Sequence, residues 1–466
     1  MRRIRRTWLQ FLRRVRRPGP GDDAFTLALA VAIGVLGAFG VVLFFRLIGY
    51  AYRGLVEFPL ALLPPIGGWA YRPLLTGVGI AIAYWVMRRF GDGYDGLNVP
   101  DVALAVERRG GDLPGKASIA KTAASAITIG AGGSAGSEGP VAVLGAAVAS
   151  RVGGWLYLRP DKRRLLVGAG AAAGISAAFN APLAGAFFAL EEVLKSFATS
   201  AFAPVVVSSV VAAVVSQSVF GNHPAFPVQV EHGFTFYREI FVFFPILGVL
   251  AGLAAAAFVW VEDGVAAARW RRQAPRILLP ILGGITVGII AQVSGGLLTS
   301  RGHIEIHLDV FRTLAWWWLA ALALGKIVAT AITLNSGGSG GVFTPSLFVG
   351  AALGAAVGGL LERLFPYLPL SAEAYTLVGM GAVVAAATGA PITAILLVFE
   401  ITNDYAIMPP LMLATVLSVL VAKSVHRDTL YSSWLRRTGR LEPEATGPTP
   451  GGSDPPGNRG QARGHG

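Results

Sequence analysis

The sequence predicts an all-α, multi-pass membrane protein built from two related halves, and three observations carry that prediction. First, of 466 residues 54% are hydrophobic and only 14% are charged, too few charges to cover a soluble chain of this length. Second, Phe25 to Phe45 is a run of 21 residues without a charge, enough to cross a hydrocarbon core of ~30 Å as a helix. Third, several small-residue motifs occur twice, in the same order. Further apolar segments continue to about Ala422.

The polar ends fit this class. Eight arginines lie in the first 17 residues, interleaved with Trp8, Leu9, Phe11 and Leu12. That pattern predicts a basic amphipathic helix over residues 1–24 lying on an anionic membrane face. It accounts for much of the formal net charge of +13, which nucleic-acid binding would otherwise explain. The apolar run that follows is too long for a signal-peptide core and has no clear cleavage site, so it belongs to the mature chain. Cysteine is absent, which excludes disulfides and thiolate chemistry. Basic clusters at the N-terminus, 161–164, 269–276 and 435–440 are placed in the cytoplasm by the positive-inside rule. Residues 220–237 contain no Lys or Arg and are read as external. Both termini are thus expected in the cytoplasm, and the membrane is expected to be a prokaryotic inner membrane. Residues 441–466 are rich in Pro and Gly and are read as a disordered tail. No soluble regulatory domain is expected after the membrane part.

The repeat divides the chain into membrane halves over 25–220 and 238–435. "GGSAG" at 132 matches "GGSGG" at 337, "VGAGA" at 167 matches "VGMGA" at 378, and "APLAGAFFALE" at 181 matches "APITAILLVFE" at 390. The offsets are 205, 211 and 209 residues. Internal repeats of this kind point to a transporter-like architecture, with a site near the midplane formed by broken helices. Gly and Pro interrupt the segments, and several read as shorter than a full span, such as 73–87. The residues themselves leave open whether the halves are inverted or parallel.

Four stretches place a small or polar run before Pro and an apolar helix: Gly139-Pro140, Thr344-Pro345, Ala181-Pro182 and Ala390-Pro391. Each marks a helix start with Pro at the first position. A helix N-terminus has unpaired N–H groups and about half a positive charge, so it binds anions without a full cation. The starts at 139 and 344 are read as anion contacts, and those at 181 and 390 as packing sites. Glu138 stands directly before the first of these. A carboxylate inside a membrane is a functional candidate by default. Ionised, it competes with the anion; protonated, it leaves, so one residue both gates the anion and carries a proton. Capping of a helix at the membrane surface is the competing reading. "GGSAG" also fits the G-x-S-x-G nucleophile pattern, which would make Ser134 a nucleophile, but the expected strand is missing. "HIEIH" at 303–307 lacks metalloprotease spacing and is read as a polar loop. No cofactor, metal or enzymatic activity is implied.

At these residues the chain resembles the CLC family of chloride channels and proton-coupled chloride antiporters, of bacterial type without CBS domains. "GSEGP" (136–140), "GGVFTP" (340–345), "LYSSWL" (430–435) and "NAPLAGAFFALEE" (180–192) carry the resemblance, which spans roughly Phe25 to Leu435. It implies a fold of two inverted-topology repeats of tilted and broken helices, in a homodimer with one pathway per subunit. It implies Glu138 as the external gating glutamate and Glu192 as the internal proton relay that antiporters carry. It implies anion contacts at the N–H groups of Val342 and Phe343 and at the Tyr431 hydroxyl, with Gly139, Leu97 and Asn98 completing the site. Lys121 matches a family lysine that sets positive potential near the pore. The implied function is exchange of protons for chloride across the bilayer, with a passive voltage- or pH-gated channel of the same fold as the alternative. Two residues depart from the pattern. Leu97 stands where a serine hydroxyl usually binds chloride, which opens nitrate preference, and Ser137 replaces the basic residue before the gating glutamate. Tyr431 and the intact E-G-P argue against the fluoride branch.

Overall fold

The computed structural model describes residues 22–62, 68–93, 96–221, 236–268, 275, 278–299, 308–368 and 370–440. Residues 1–21 of the amphipathic segment, most of the 220–237 stretch, most of the 269–276 cluster, "HIEIH" and the 441–466 tail lie outside them. The described residues are almost wholly helical.

The first half runs α1 (Asp22–Tyr52), a π-turn (Arg53–Glu57), α2 (Phe58–Leu62), α3 (Gly68–Phe90), α4 (Val99–Arg108), α5 (Gly115–Gly130), α6 (Glu138–Trp155), α7 (Pro160–Phe179), α8 (Pro182–Phe188) and α9 (Thr199–Phe220). The second runs α10 (Phe236–Ala267), α11 (Leu278–Val293), α12 (Leu308–Thr313), α13 (Trp316–Asn335), α14 (Phe343–Leu364), α15 (Ala372–Thr388), α16 (Pro391–Thr402) and α17 (Met408–Val425), with α18 (Leu430–Arg437) closing the chain. Six helical stretches among the described residues have the length and apolarity to cross a membrane, the first being Asp23–Leu62. One expectation is corrected. The stretch read as short at 73–87 is a helix of 23 residues, Gly68–Phe90. Helix length does not stop where apolarity stops: Arg88 and Arg89 extend its last turn, where the negative end of the macrodipole favours cations.

The breaks fall where the sequence forbids helix. Asn180 ends α7 at φ 55° and Gly389 ends α15 at φ 91°, both in the left-handed conformation that caps helices. Each is followed by Ala-Pro, which bars helical backbone before the proline and starts the next helix with it. At 139–140 and 344–345 the expectation needs adjusting by two residues. Here α6 begins at Glu138 and α14 at Phe343, so Pro140 and Pro345 are third in their helices. The position is harmless, because the first four N–H groups of a helix lack partners anyway.

The halves grip each other through reciprocal contacts between equivalent residues. Gly136 N–H donates to Gly341 O and Gly341 N–H donates to Gly136 O, both at 2.8 Å. Ser134 N–H donates to Thr333 Oγ1 at 3.1 Å, and Ser339 N–H to Thr128 Oγ1 at 3.0 Å. Leu183 and Ala184 N–H groups donate to Glu400, each at 2.7 Å. Ile392 and Thr393 N–H groups donate to Glu191 at 3.1 and 2.8 Å. The starts of α8 and α16, read as packing sites, are therefore capped by the carboxylate that ends the matching motif of the other half. Within each half the long helices pack backbone to backbone. A Cβ on Gly145 would lie 2.0 Å from Gly170 O, and one on Gly350 would lie 2.2 Å from Gly379 O, so α6–α7 and α14–α15 depend on glycine for their close approach.

Candidate anion and proton site

Where α6 and α14 begin, the repeat brings two helix N-termini together. Glu138 and Phe343 are equivalent residues, since 138 + 205 = 343. The Glu138 side chain is fully buried and crosses to the other half. Its Oε1 accepts the Phe343 N–H at 2.6 Å, and its Oε2 accepts the Thr344 hydroxyl at 2.7 Å. The carboxylate thus sits on the N–H group that the sequence assigned to an anion. Glycine makes the seat possible: a Cβ on Gly136 would lie 2.2 Å from Oε2, and one on Gly341 would lie 2.2 Å from Oε1. The Phe343 ring packs between Phe179 and Phe188, with ring centroids 6.1 and 6.3 Å away, which fixes the direction of its N–H.

A cavity of about 500 Å³ opens beside this seat, lined by Asn98, Lys121, Gly139, Gly341, Val342 and Tyr431 among others. Five of the residues assigned to the pore by sequence therefore converge: Asn98, Lys121, Gly139, Val342 and Tyr431. Lys121 is buried, and its ammonium donates to Gly340 O at 3.1 Å, which holds a cation near the site without placing it in the seat. The Asn98 backbone N–H donates to Asp101 Oδ2 at 2.8 Å, and Asn98 Oδ1 is buried with no hydrogen-bond partner among the described residues.

Leu97 is a correction. Its side chain is 1% exposed and packs in the hydrophobic core, and it does not line the cavity. Residues 96–98 are not helical and Asn98 is extended, at φ −128° and ψ 179°. Successive side chains on extended backbone point to opposite sides, so Asn98 faces the cavity and Leu97 faces away. Phe343 contributes its backbone N–H and no side chain.

Glu192 lies outside the cavity, on the π-turn Ala189–Val193 that continues α8. Its Oε1 is 3.9 Å from where a Cβ on Gly389 would stand. The wide turn is closed by Leu194 N–H to Ala189 O at 2.8 Å, and π-turns are frequent at functional positions. Ser134 is fully buried, with its hydroxyl 3.0 Å from the Thr330 hydroxyl, so it is a structural residue at the junction of the halves.

Sequence reading passed over Lys326 and Glu262, and read Thr344 only as part of a helix start facing an anion. Lys326 is the equivalent of Lys121 at the same offset of 205; it is buried, donates to Leu298 O at 3.0 Å and lies over the Phe348 ring. Thr344 completes the seat of the Glu138 carboxylate. Glu262 also lines the cavity; its only signal was an acidic pair closing a long apolar run.

Comparison with known proteins identifies the family and the fold. Residues 79–423 match the family described as voltage gated chloride channel. The chain is 32% identical over 439 residues to a ClcB-like chloride channel protein of Ralstonia nicotianae, covering 90% of this chain and 100% of that one. It is 28% identical over 386 residues to the H(+)/Cl(-) exchange transporter ClcA of Vibrio campbellii, covering 79% of this chain and 80% of the relative. Among solved structures it is similar to a slow cyanobacterial Cl-/H+ antiporter, with a TM-score of 0.77, 27% identity, and coverage of 89% of this chain and 97% of the other. With its two repeats, crossed helix starts and matching residues, the chain belongs to the voltage gated chloride channel family, the CLC family, and has its helical membrane fold.

Proposed function

We propose that this chain exchanges chloride for protons across the membrane, with Glu138 as the gate. The observation that carries the reading is the seat of the Glu138 carboxylate on the Phe343 N–H and the Thr344 hydroxyl. A carboxylate and a chloride ion carry the same charge and want the same donors. They exclude each other from the start of α14. Protonation removes the carboxylate's charge, weakens its hold on these donors and lets the anion take its place. The next ionised state of Glu138 returns and displaces the anion. Chloride and the ionised carboxylate then hold one seat in alternation, which couples anion movement to protonation.

The remaining residues have roles in this cycle. The N–H groups of Val342 and Phe343 offer the partial positive charge of the helix start, a hold weak enough to release an ion. The Tyr431 hydroxyl donates from the cavity wall. Asn98 supplies a carboxamide where Leu97 provides no hydroxyl. Lys121 keeps the route positive. Glu192 receives protons from the inner side, away from the anion cavity. One arrangement supports an inner location for Glu192, whose π-turn packs against α4. The basic clusters at 161–164 and 435–440 both meet α4: Arg164 donates to Glu107 O at 3.2 Å, and Arg440 pairs with Asp101. The family's homodimer is part of the same reading. Chloride, with protons, is the substrate set; the ClcB-like relative, a chloride channel by name, favours passive anion conduction as the second reading.

The test uses purified protein in liposomes with an outward chloride gradient and a voltage clamped by valinomycin and potassium. External chloride and pH are recorded together. Exchange predicts protons entering as chloride leaves, against their own gradient, and Glu138→Ala keeps chloride flux while abolishing proton movement. Chloride efflux without proton movement in the unmodified protein supports the channel. Proton coupling that persists in Glu138→Ala refutes the gate assignment.

A further inference from the structure

Glu262 is a buried carboxylate that this exchange cycle does not use. It lies near the end of α10, is 3% exposed, and lines the same cavity as Asn98, Lys121 and Tyr431. Its Oε1 accepts from Asn335 Nδ2 at 2.8 Å and from Arg437 Nη2 at 3.4 Å. Its Oε2 is buried and has no hydrogen-bond partner among the described residues. An ionised carboxylate with a bare buried oxygen bears a desolvation cost that the contacts at Oε1 offset only in part.

The ion pairing at Glu262 itself is divided as well. Arg437, from α18, is shared: its Nε is 3.3 Å from Asp263 Oδ1 and its Nη1 donates to Glu262 O at 3.1 Å. Asp263 is a third exposed and also accepts the Ser433 hydroxyl. One guanidinium therefore serves two neighbouring carboxylates. Of the other elements around the cavity, α13 presents neutral Asn335, α3 presents Tyr84 and Arg88, and α5 presents Lys121. Lys121 is already committed to Gly340 O. A proton on Oε2 removes the charge from the oxygen that has no donor and leaves Arg437 to pair with Asp263. Taking the cavity as the anion route, a negative charge on this wall opposes every anion that enters.

Resting on that reading of the cavity, we propose that Glu262 is a proton-binding residue of the vestibule that controls anion access to Tyr431. Ionised, it repels the incoming anion; protonated, it lets the anion pass. A compact cavity of this volume is ~10 Å across, and unit charges at that distance with an effective dielectric constant of ~20 change occupancy on the order of tenfold.

Isothermal titration of chloride into purified protein between pH 5 and pH 8 tests this. The parent is Glu138→Ala, which removes the competing carboxylate from the seat. Its chloride Kd should rise about tenfold with pH. Adding Glu262→Gln should hold the Kd within about twofold across the range, because the charge is gone while the acceptor for Asn335 remains. Glu262→Ser is a second neutral variant should the first fold poorly, and Glu262→Asp should restore the rise. A rise that persists in either neutral variant, or a Kd independent of pH in the parent, overturns the role of Glu262 alone. A parent that binds no chloride at any pH overturns the Phe343 seat, and this inference with it.

Discussion

Gly136→Ala is the most informative single change, because its effect follows from one distance. The added Cβ would lie 2.2 Å from Glu138 Oε2, and its three nearest atoms are all in that carboxyl group. Real Cβ atoms essentially never come within 3.0 Å of a neighbour, so the carboxylate must leave. The backbone itself tolerates alanine, since Gly136 is not among the glycines with positive φ. Leaving the seat forfeits two hydrogen bonds to a charged group, at 2.6 and 2.7 Å, together worth about 3–6 kcal/mol. The upper end of that range moves a two-state equilibrium from almost always seated to almost never seated, a shift that requires ~5.5 kcal/mol. The dual chloride and pH recording should show chloride flux at or above that of the unmodified protein, with proton coupling reduced at least tenfold. Gly145→Ala is the contrast. Its Cβ would lie 2.0 Å from a backbone oxygen, Gly170 O, which cannot swing aside, so that variant should lose yield and thermal stability. Unchanged coupling in a folded Gly136→Ala protein would refute the claim that Glu138 must occupy this seat.

Three other outcomes are expected. Glu192→Val should abolish proton movement and spare chloride flux in the same liposomes; unchanged proton flux would mean that another group relays the proton. Leu97→Ser should leave the chloride-to-nitrate permeability ratio unchanged while costing about 3 kcal/mol of stability, because it hollows the core and buries a hydroxyl; Asn98→Ala should change the ratio. Glu400→Ala removes both charged acceptors from the start of α8 and should cost about 2 kcal/mol or more, lowering the apparent melting temperature in detergent by about 2–5 °C without changing the coupling ratio.

How far the sequence could be read depended on whether a feature is local. Helix starts at Pro182 and Pro391 were legible because proline acts on its own neighbours. Glu138 was legible because a charge in an apolar run is conspicuous wherever it folds. The partner of its carboxylate was not legible from spacing, since Phe343 and Thr344 are more than 200 residues away in sequence. Nor was the direction of Leu97, which depends on a short non-helical stretch before α4. Asn98 took the facing position because extended backbone alternates, a fact invisible until the stretch is known to be extended. Glu191 and Glu400 stood out as the matching ends of a repeat. Their use as reciprocal caps emerged only when the halves were brought together. Lys326 shows the opposite failure: the offset of 205 residues pointed straight at it from Lys121, and it stayed unread because none of the matched motifs contains a lysine.

The repeat also explains why the site is placed at its own symmetry centre. Equivalent residues that meet about a pseudo-two-fold axis face each other, and Gly136 and Gly341 do so by exchanging backbone hydrogen bonds. A strictly symmetric pair at the next positions would set two carboxylates, or two apolar side chains, against two helix starts. Two carboxylates that close would repel each other, and two phenylalanines would leave no acceptor for the N–H groups. One of each solves both problems. Phe343 gives up only its N–H and buries its ring between Phe179 and Phe188, while Glu138 brings the single charge that the N–H can hold. The lysines diverge in the same way. Lys121 crosses to Gly340 beside the cavity, while Lys326 stays within its own half on Leu298. Symmetry thus builds the rigid frame of paired helix starts, and departures from it at Glu138 and Lys121 put charge on one side only. The seat holds an ionised carboxylate or an anion but not both at once, and in the proposed cycle that exclusion makes anion entry wait on protonation of Glu138.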